Sequence, residues 1–134
     1  MIRRLVPVGL LMVAVAGSVE AKPALSEVPQ IDDGLLVIGL AHEIHKKCPT
    51  ISARLFKGIG ALQDLKREAQ DLGYSDDEIR EHVESDAEKK RLRARAAQYM
   101  KARGLGQTKQ DYCALGQDEI AQKSQIGALL RARQ

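Results

Sequence analysis

The chain has 134 residues, 29% of them charged and 3% aromatic, with a formal net charge of +3. Its aromatic residues are Phe56, Tyr74, Tyr99 and Tyr112, with no Trp, which argues against the stacking platforms of carbohydrate and single-strand nucleic-acid sites. The length suits one domain, and a net charge this small argues against strong polyanion binding.

The first 21 residues predict a secretory signal peptide. Arg3 and Arg4 precede an apolar run from Leu5 to Ala16, and Val19-Glu20-Ala21 offers a small-residue cut before Lys22. That run is shorter than the roughly 20 apolar residues that a membrane span takes. The leader holds two of the 21 basic and one of the 18 acidic residues, so residues 22–134 carry +2. No transmembrane segment is expected after cleavage, and the destination is the periplasm. Cys48 and Cys113 are the only cysteines. In an oxidising compartment an even count reads as a structural disulfide, and no CxxC points to redox or metal chemistry.

Residues 22–31, with Pro23 and Pro29 and no periodicity, read as an extended arm before a single helical domain over 32–134. Asp32 or Asp33 is a candidate cap for a first helix. Val37, Ala41, Ile44 and Cys48 share its inner face, Leu36 and Leu40 widen that face, and Pro49 ends the helix. A second helix is expected from about Thr50 to Leu72, with Ile51, Leu55, Ile59, Leu62, Leu65, Ala69 and Leu72 inward. Gly58 and Gly60 within it suggest close packing at a small-residue face, and Gly73 supplies a left-handed stop. Ser75 and Glu78 form a capping box with Tyr74 and Ile79 as its staple, which starts a short third helix. Ser85 and Glu88 repeat the box before a fourth, with Leu92, Ala96, Tyr99 and Met100 inward. This helix runs to about Arg103, where Gly104 and Gly106 break it. Thr108 to Asp111 opens a fifth, carrying Tyr112, Cys113, Gly116 and Ile120, and Ser124 to Gly127 reads as a short terminal turn. No stretch shows a strand period. The fold class is all-α, about five helices with one disulfide pinning the last helix to the first.

Candidate chemistry is sparse. His42-Glu43-Ile44-His45 is one residue short of the zinc-protease spacing, which needs His at i and i+4. His42, His45 and His82 are weak metal candidates, the alternative being a polar helix flank. The carboxylates from Asp76 to Glu88 sit at helix starts, where they serve caps and the helix dipole. The basic run Lys89-Lys90-Arg91-Leu92-Arg93-Ala94-Arg95 could face nucleic acid or an anionic membrane. The preferred reading is a solvated helix face paired with the acids before it. There is no nucleophile elbow, phosphate loop or haem motif, so no catalytic or cofactor-binding residue is assigned and no cofactor is expected.

Several stretches together resemble an alphaproteobacterial family of small exported proteins known as domain of unknown function 5333. They are Ile31-Asp32-Asp33-Gly34-Leu35, Ile51-Ser52-Ala53-Arg54, Leu72-Gly73-Tyr74, Glu84-Ser85-Asp86-Ala87-Glu88-Lys89, Tyr112-Cys113-Ala114 and Ser124-Gln125-Ile126-Gly127-Ala128-Leu129-Leu130. The resemblance assigns no activity and no site residue, but it implies a link to respiratory complex I. The expected function is therefore that of a non-enzymatic periplasmic protein that binds another protein, with a membrane respiratory complex as one version of the partner. The alternative is a small periplasmic stress chaperone, suggested by the many titratable carboxylates. A metal-binding protein is a third.

Overall fold

The computed structural model describes residues 21–133 together with Val13, Ala14 and Gly17. Most of the leader, including most of its apolar run, falls outside the described residues. A 3-10 turn at Leu25–Glu27 leads into α1 (Pro29–Lys47), followed by β1 (Ile51–Ala53), α2 (Leu55–Asp71), α3 (Asp76–Glu84), α4 (Asp86–Lys101), α5 (Lys109–Ala121), α6 (Gln125–Ala128) and β2 (Leu130–Ala132). None of these helices is long and apolar enough to cross a membrane.

Local chemistry sets most of the boundaries. Pro29 occupies the first turn of α1, where its missing N–H costs nothing. Gly73 ends the α2 hairpin at φ +96°, a conformation that disfavours any side chain. The Ser75 hydroxyl accepts from the Glu78 amide at 3.1 Å, and Glu78 returns the bond to the Ser75 amide at 3.2 Å. Thr108 and Asp111 repeat this exchange at the start of α5. Ser85 caps α4 in one direction only. It accepts from the Glu88 amide at 3.3 Å, while the Glu88 carboxylate turns instead to the Arg91 Nε at 2.9 Å.

The central helix is α1, against which α2, α4, α5, α6 and β1 all pack. The main core gathers Leu40 and Ile44 of α1, Ile51 of β1, Met100 of α4 and Leu115 of α5, each almost fully buried. A second cluster joins Leu25, Val28 and Ile31 to Ala69 and Tyr74, with Ile79 packed against it. The disulfide Cys48–Cys113 ties the end of α1 to the second turn of α5, with Cα atoms 5.1 Å apart. It closes a sequence separation of 65 residues, and crosslinking a loop of that length stabilises by about 4 kcal/mol in the chain-entropy model.

Several expectations need correction. Residues 22–31 do not form an extended arm throughout, because the helix begins at Pro29. The stretch before it is also anchored. Lys22 donates to the Gly73 carbonyl at 2.7 Å, and the Tyr74 hydroxyl donates to the Pro23 carbonyl at 2.5 Å. Val28, not Asp32 or Asp33, is the N-cap of α1. Ile51 lies on a strand, not on the second helix. β1 and β2 pair antiparallel in the register Ile51↔Ala132, Ser52↔Arg131 and Ala53↔Leu130. The pairing continues from the Arg54 amide to the Leu129 carbonyl at 2.7 Å and from the Arg133 amide to the Thr50 carbonyl at 2.8 Å. Strands of three residues are too short for alternation to register.

The close-packing glycines are also not the expected ones. A Cβ added at Gly58 or Gly60 would meet nothing within 4 Å. At Gly116 it would lie 2.6 Å from Ile51 and 2.7 Å from Ile44, and at Gly127 it would collide with the Glu119 carbonyl. Small residues thus bring α5 onto α1 and β1, and α6 onto α5.

Candidate functional site

Two polar clusters join α4 to the rest of the core. The first is built on Asp32, 5% exposed, whose carboxylate takes both Arg91 and Arg95. Arg91 Nη1 lies 3.1 Å from Asp32 Oδ2, and Arg95 reaches on to Asp33 at 2.9 Å. Burial would raise the Asp32 pKa, but the two guanidiniums outweigh it and hold the carboxyl below its ordinary value. Two cations of the run Lys89–Arg95 are therefore committed to internal ion pairs. The second cluster is Glu119, 2% exposed, which accepts from the Tyr99 hydroxyl at 2.5 Å. Burial first, and then the Glu119 carboxylate, push the Tyr99 phenol up to about 12, so it remains a donor. Arg103 stacks on the Tyr99 ring, 3.4 Å from its centroid. Neither Glu119 nor Tyr99 lines a described cavity. Both groups tie α4 to α5.

The histidines are put to separate uses. His42 is exposed on α1. His45 Nδ1 accepts from the Ala53 amide at 3.0 Å, closing the inner edge of β1. His82 lies on α3, with Nε2 4.0 Å from Glu88 and no hydrogen-bond partner. Among the described residues, no group of three or more His, Cys, Asp or Glu side chains converges as a metal site would require.

The open feature is a trough between α1 and α2. One part, of about 610 Å³, has a floor of Val37, Ile38, Ala61, Leu65 and Leu129, with Asp33, Asp64 and Glu68 along its rim. Ile38 and Leu129 are shared with a smaller recess of about 150 Å³ at the other end, lined by Ala41, His42, Arg54, Leu55, Ile59 and Leu62. Along this trough α2 leaves large apolar side chains in solvent. Leu55 is 66% exposed, Ile59 44% and Leu62 47%.

The sequence placed Leu55, Ile59 and Leu62 on the inner face of the second helix. The structure keeps Leu65 and Ala69 inward as expected and adds Ala61, a row at i, i+4 and i+8, with Leu65 seated over Gly34 of α1, where an added Cβ would lie 2.5 Å from it. The signal that could have revealed this is the breadth of the apolar arc. From Leu55 to Leu65 it spans more of the helix circumference than one contact can cover, so part of it had to face out.

Neither the curated proteins nor the solved structures hold a match to this chain. A family model described as a family of unknown function (DUF5333) matches residues 23–131, and the chain belongs to that family.

Proposed function

We infer that this protein is a non-enzymatic, exported accessory factor that works by binding another protein along the α1–α2 trough. The observation that carries the reading is the trough itself, an apolar floor left open beside the exposed Ile59 and Leu62. Such a shape suits an amphipathic helix laid into a groove. The rim of Asp33, Asp64 and Glu68 favours a partner carrying Lys or Arg at that end. The leader-like first 21 residues and the disulfide support the periplasm as the compartment. In the version implied by the family resemblance, the partner is a subunit of a membrane respiratory complex.

A photocrosslinker placed at the exposed Ala128, on the wall of the trough, tests this in cells. One discrete crosslinked protein is expected, and it should disappear when Leu62→Glu is added. Absence of any discrete product would sink the reading. A product that contains no respiratory subunit would remove the respiratory version alone.

A further inference from the structure

The small net charge conceals a cationic end of the molecule. Between Ile44 and Gln63 the chain carries Lys46, Lys47, Arg54 and Lys57 and no carboxylate. Between Ile120 and Arg133 it carries Lys123, Arg131 and Arg133 and again no carboxylate. The β1–β2 pairing brings these two acid-free segments together. Arg54, Lys57 and Arg131 surround a recess of about 360 Å³ with Leu55 and Phe56, and Arg133 continues the positive edge along β2. Among the described residues none of Arg54, Lys57, Arg131 and Arg133 makes an ion pair. Beside Arg54, Lys57 and Arg131 stands the only Phe of the chain, 89% exposed and next to Leu55 at 66%.

We propose that this tip is a peripheral membrane-contact site that inserts Phe56 and Leu55 among anionic phospholipids while Arg54, Lys57, Arg131 and Arg133 bind the headgroups. Charge complementarity selects the occupant. A second copy of the chain would set the four cations against their own kind across a twofold axis. A polynucleotide would need ring after ring to stack on, and the tip holds one ring flanked by an aliphatic side chain. An acidic protein would need a pocket shaped to a projecting Phe, whereas a fluid lipid surface receives a projection without one. One signal alone binds a membrane only marginally, and apolar insertion combined with a basic patch binds it more firmly; both are present here. The tip shares Arg54 and Leu55 with the smaller recess of the trough, but Phe56, Lys57, Arg131 and Arg133 line no part of the trough, and the tip does not depend on what occupies it.

Sedimentation with vesicles tests the assignment. The protein is purified in the form the cell accumulates, with its N-terminus determined by mass, and mixed with phosphatidylcholine vesicles with or without phosphatidylglycerol. Binding is expected only with phosphatidylglycerol, and it should fall steeply as salt is raised. Phe56→Ser should weaken it about tenfold, and Arg131→Gln with Arg133→Gln about fivefold for each cation removed. All three positions are exposed, so thermal melts should match the parent and confirm that the variants are folded. Ala128→Arg, which blocks the trough, should leave vesicle binding unchanged. The proposal is overturned by any of four results: no binding to phosphatidylglycerol vesicles at low salt, binding that survives the tip variants, tighter capture of a single-stranded oligonucleotide, or self-association that the tip variants abolish.

Discussion

Asp32 shows how a side chain can be noticed in the sequence and still be missed for its role. Its short acidic side chain suggested a helix cap, but Val28 is the cap and Asp32 lies in the first turn of α1. Nothing in the spacing disclosed that Arg91 and Arg95, some 60 positions away, would converge on it. Because its folded-state pKa is depressed, the stability it contributes is full above the unfolded value, about 3.9. That stability is lost as pH falls through the lower folded value. Asp32→Asn should therefore destabilise the protein by about 3 kcal/mol at neutral pH, by leaving two cations half-buried without their acceptor. It should also flatten the acid limb of a plot of melting temperature against pH below about 4. An unchanged acid limb would show that Asp32 does not set it. His42, His45 and His82 are the converse case. The spacing of His42 and His45 around Glu43, with His82 to complete a site, raised a metal reading, but the described residues do not bring the three together, and His45 instead accepts from the Ala53 amide.

At the scale of elements, legibility follows from whether a signal is local. The starts of α3, α4, α5 and α6 are each marked by Ser or Thr at the cap, and all four were readable from the sequence. The pairing of β1 with β2 was not, because it joins residues 51–53 to residues 130–132 and depends on the helices between them. The glycines show the same division. Helical spacing marked Gly58, Gly60 and Gly116 as interior positions but could not say which of them faces a neighbour. The structure gives them opposite signs. Gly58→Ala has open space and lies inside a helix, so it should stabilise by up to about 1 kcal/mol. Gly116→Ala drives a methyl against Ile44 and Ile51 and should cost about 1–3 kcal/mol. Urea denaturation of the two variants should move the midpoints in opposite directions, and a shared direction would contradict the packing described.

For the whole molecule, total charge was legible in the sequence, but its distribution over the surface was not. From Asp64 to Glu88 there are ten carboxylates against three Lys or Arg, and this acidic surplus offsets the cations of the β1–β2 tip. A net +2 therefore did not settle whether anionic surfaces are partners. The trough was equally hidden, since its walls come from α1, α2 and Leu129, which are far apart in the chain. The disulfide was legible because only two cysteines were available, and it matters for the molecule as a whole. Reduction, or Cys48→Ser with Cys113→Ser, should lower stability by about 4 kcal/mol, on the order of 15 °C in melting temperature. A calorimetric scan in which added reductant shifts nothing would show that the bridge carries no such share.

The same bridge determines what force can do to the chain. A machine that pulls from either terminus can draw out only what lies beyond Cys48 or Cys113. The 65-residue separation between them stays closed. At about 3.4 Å per extended residue, roughly 220 Å of contour is withheld from any pull. A threading protease would therefore stall where two strands must pass its pore at once, with α2, α3 and α4 still ahead of it inside the loop.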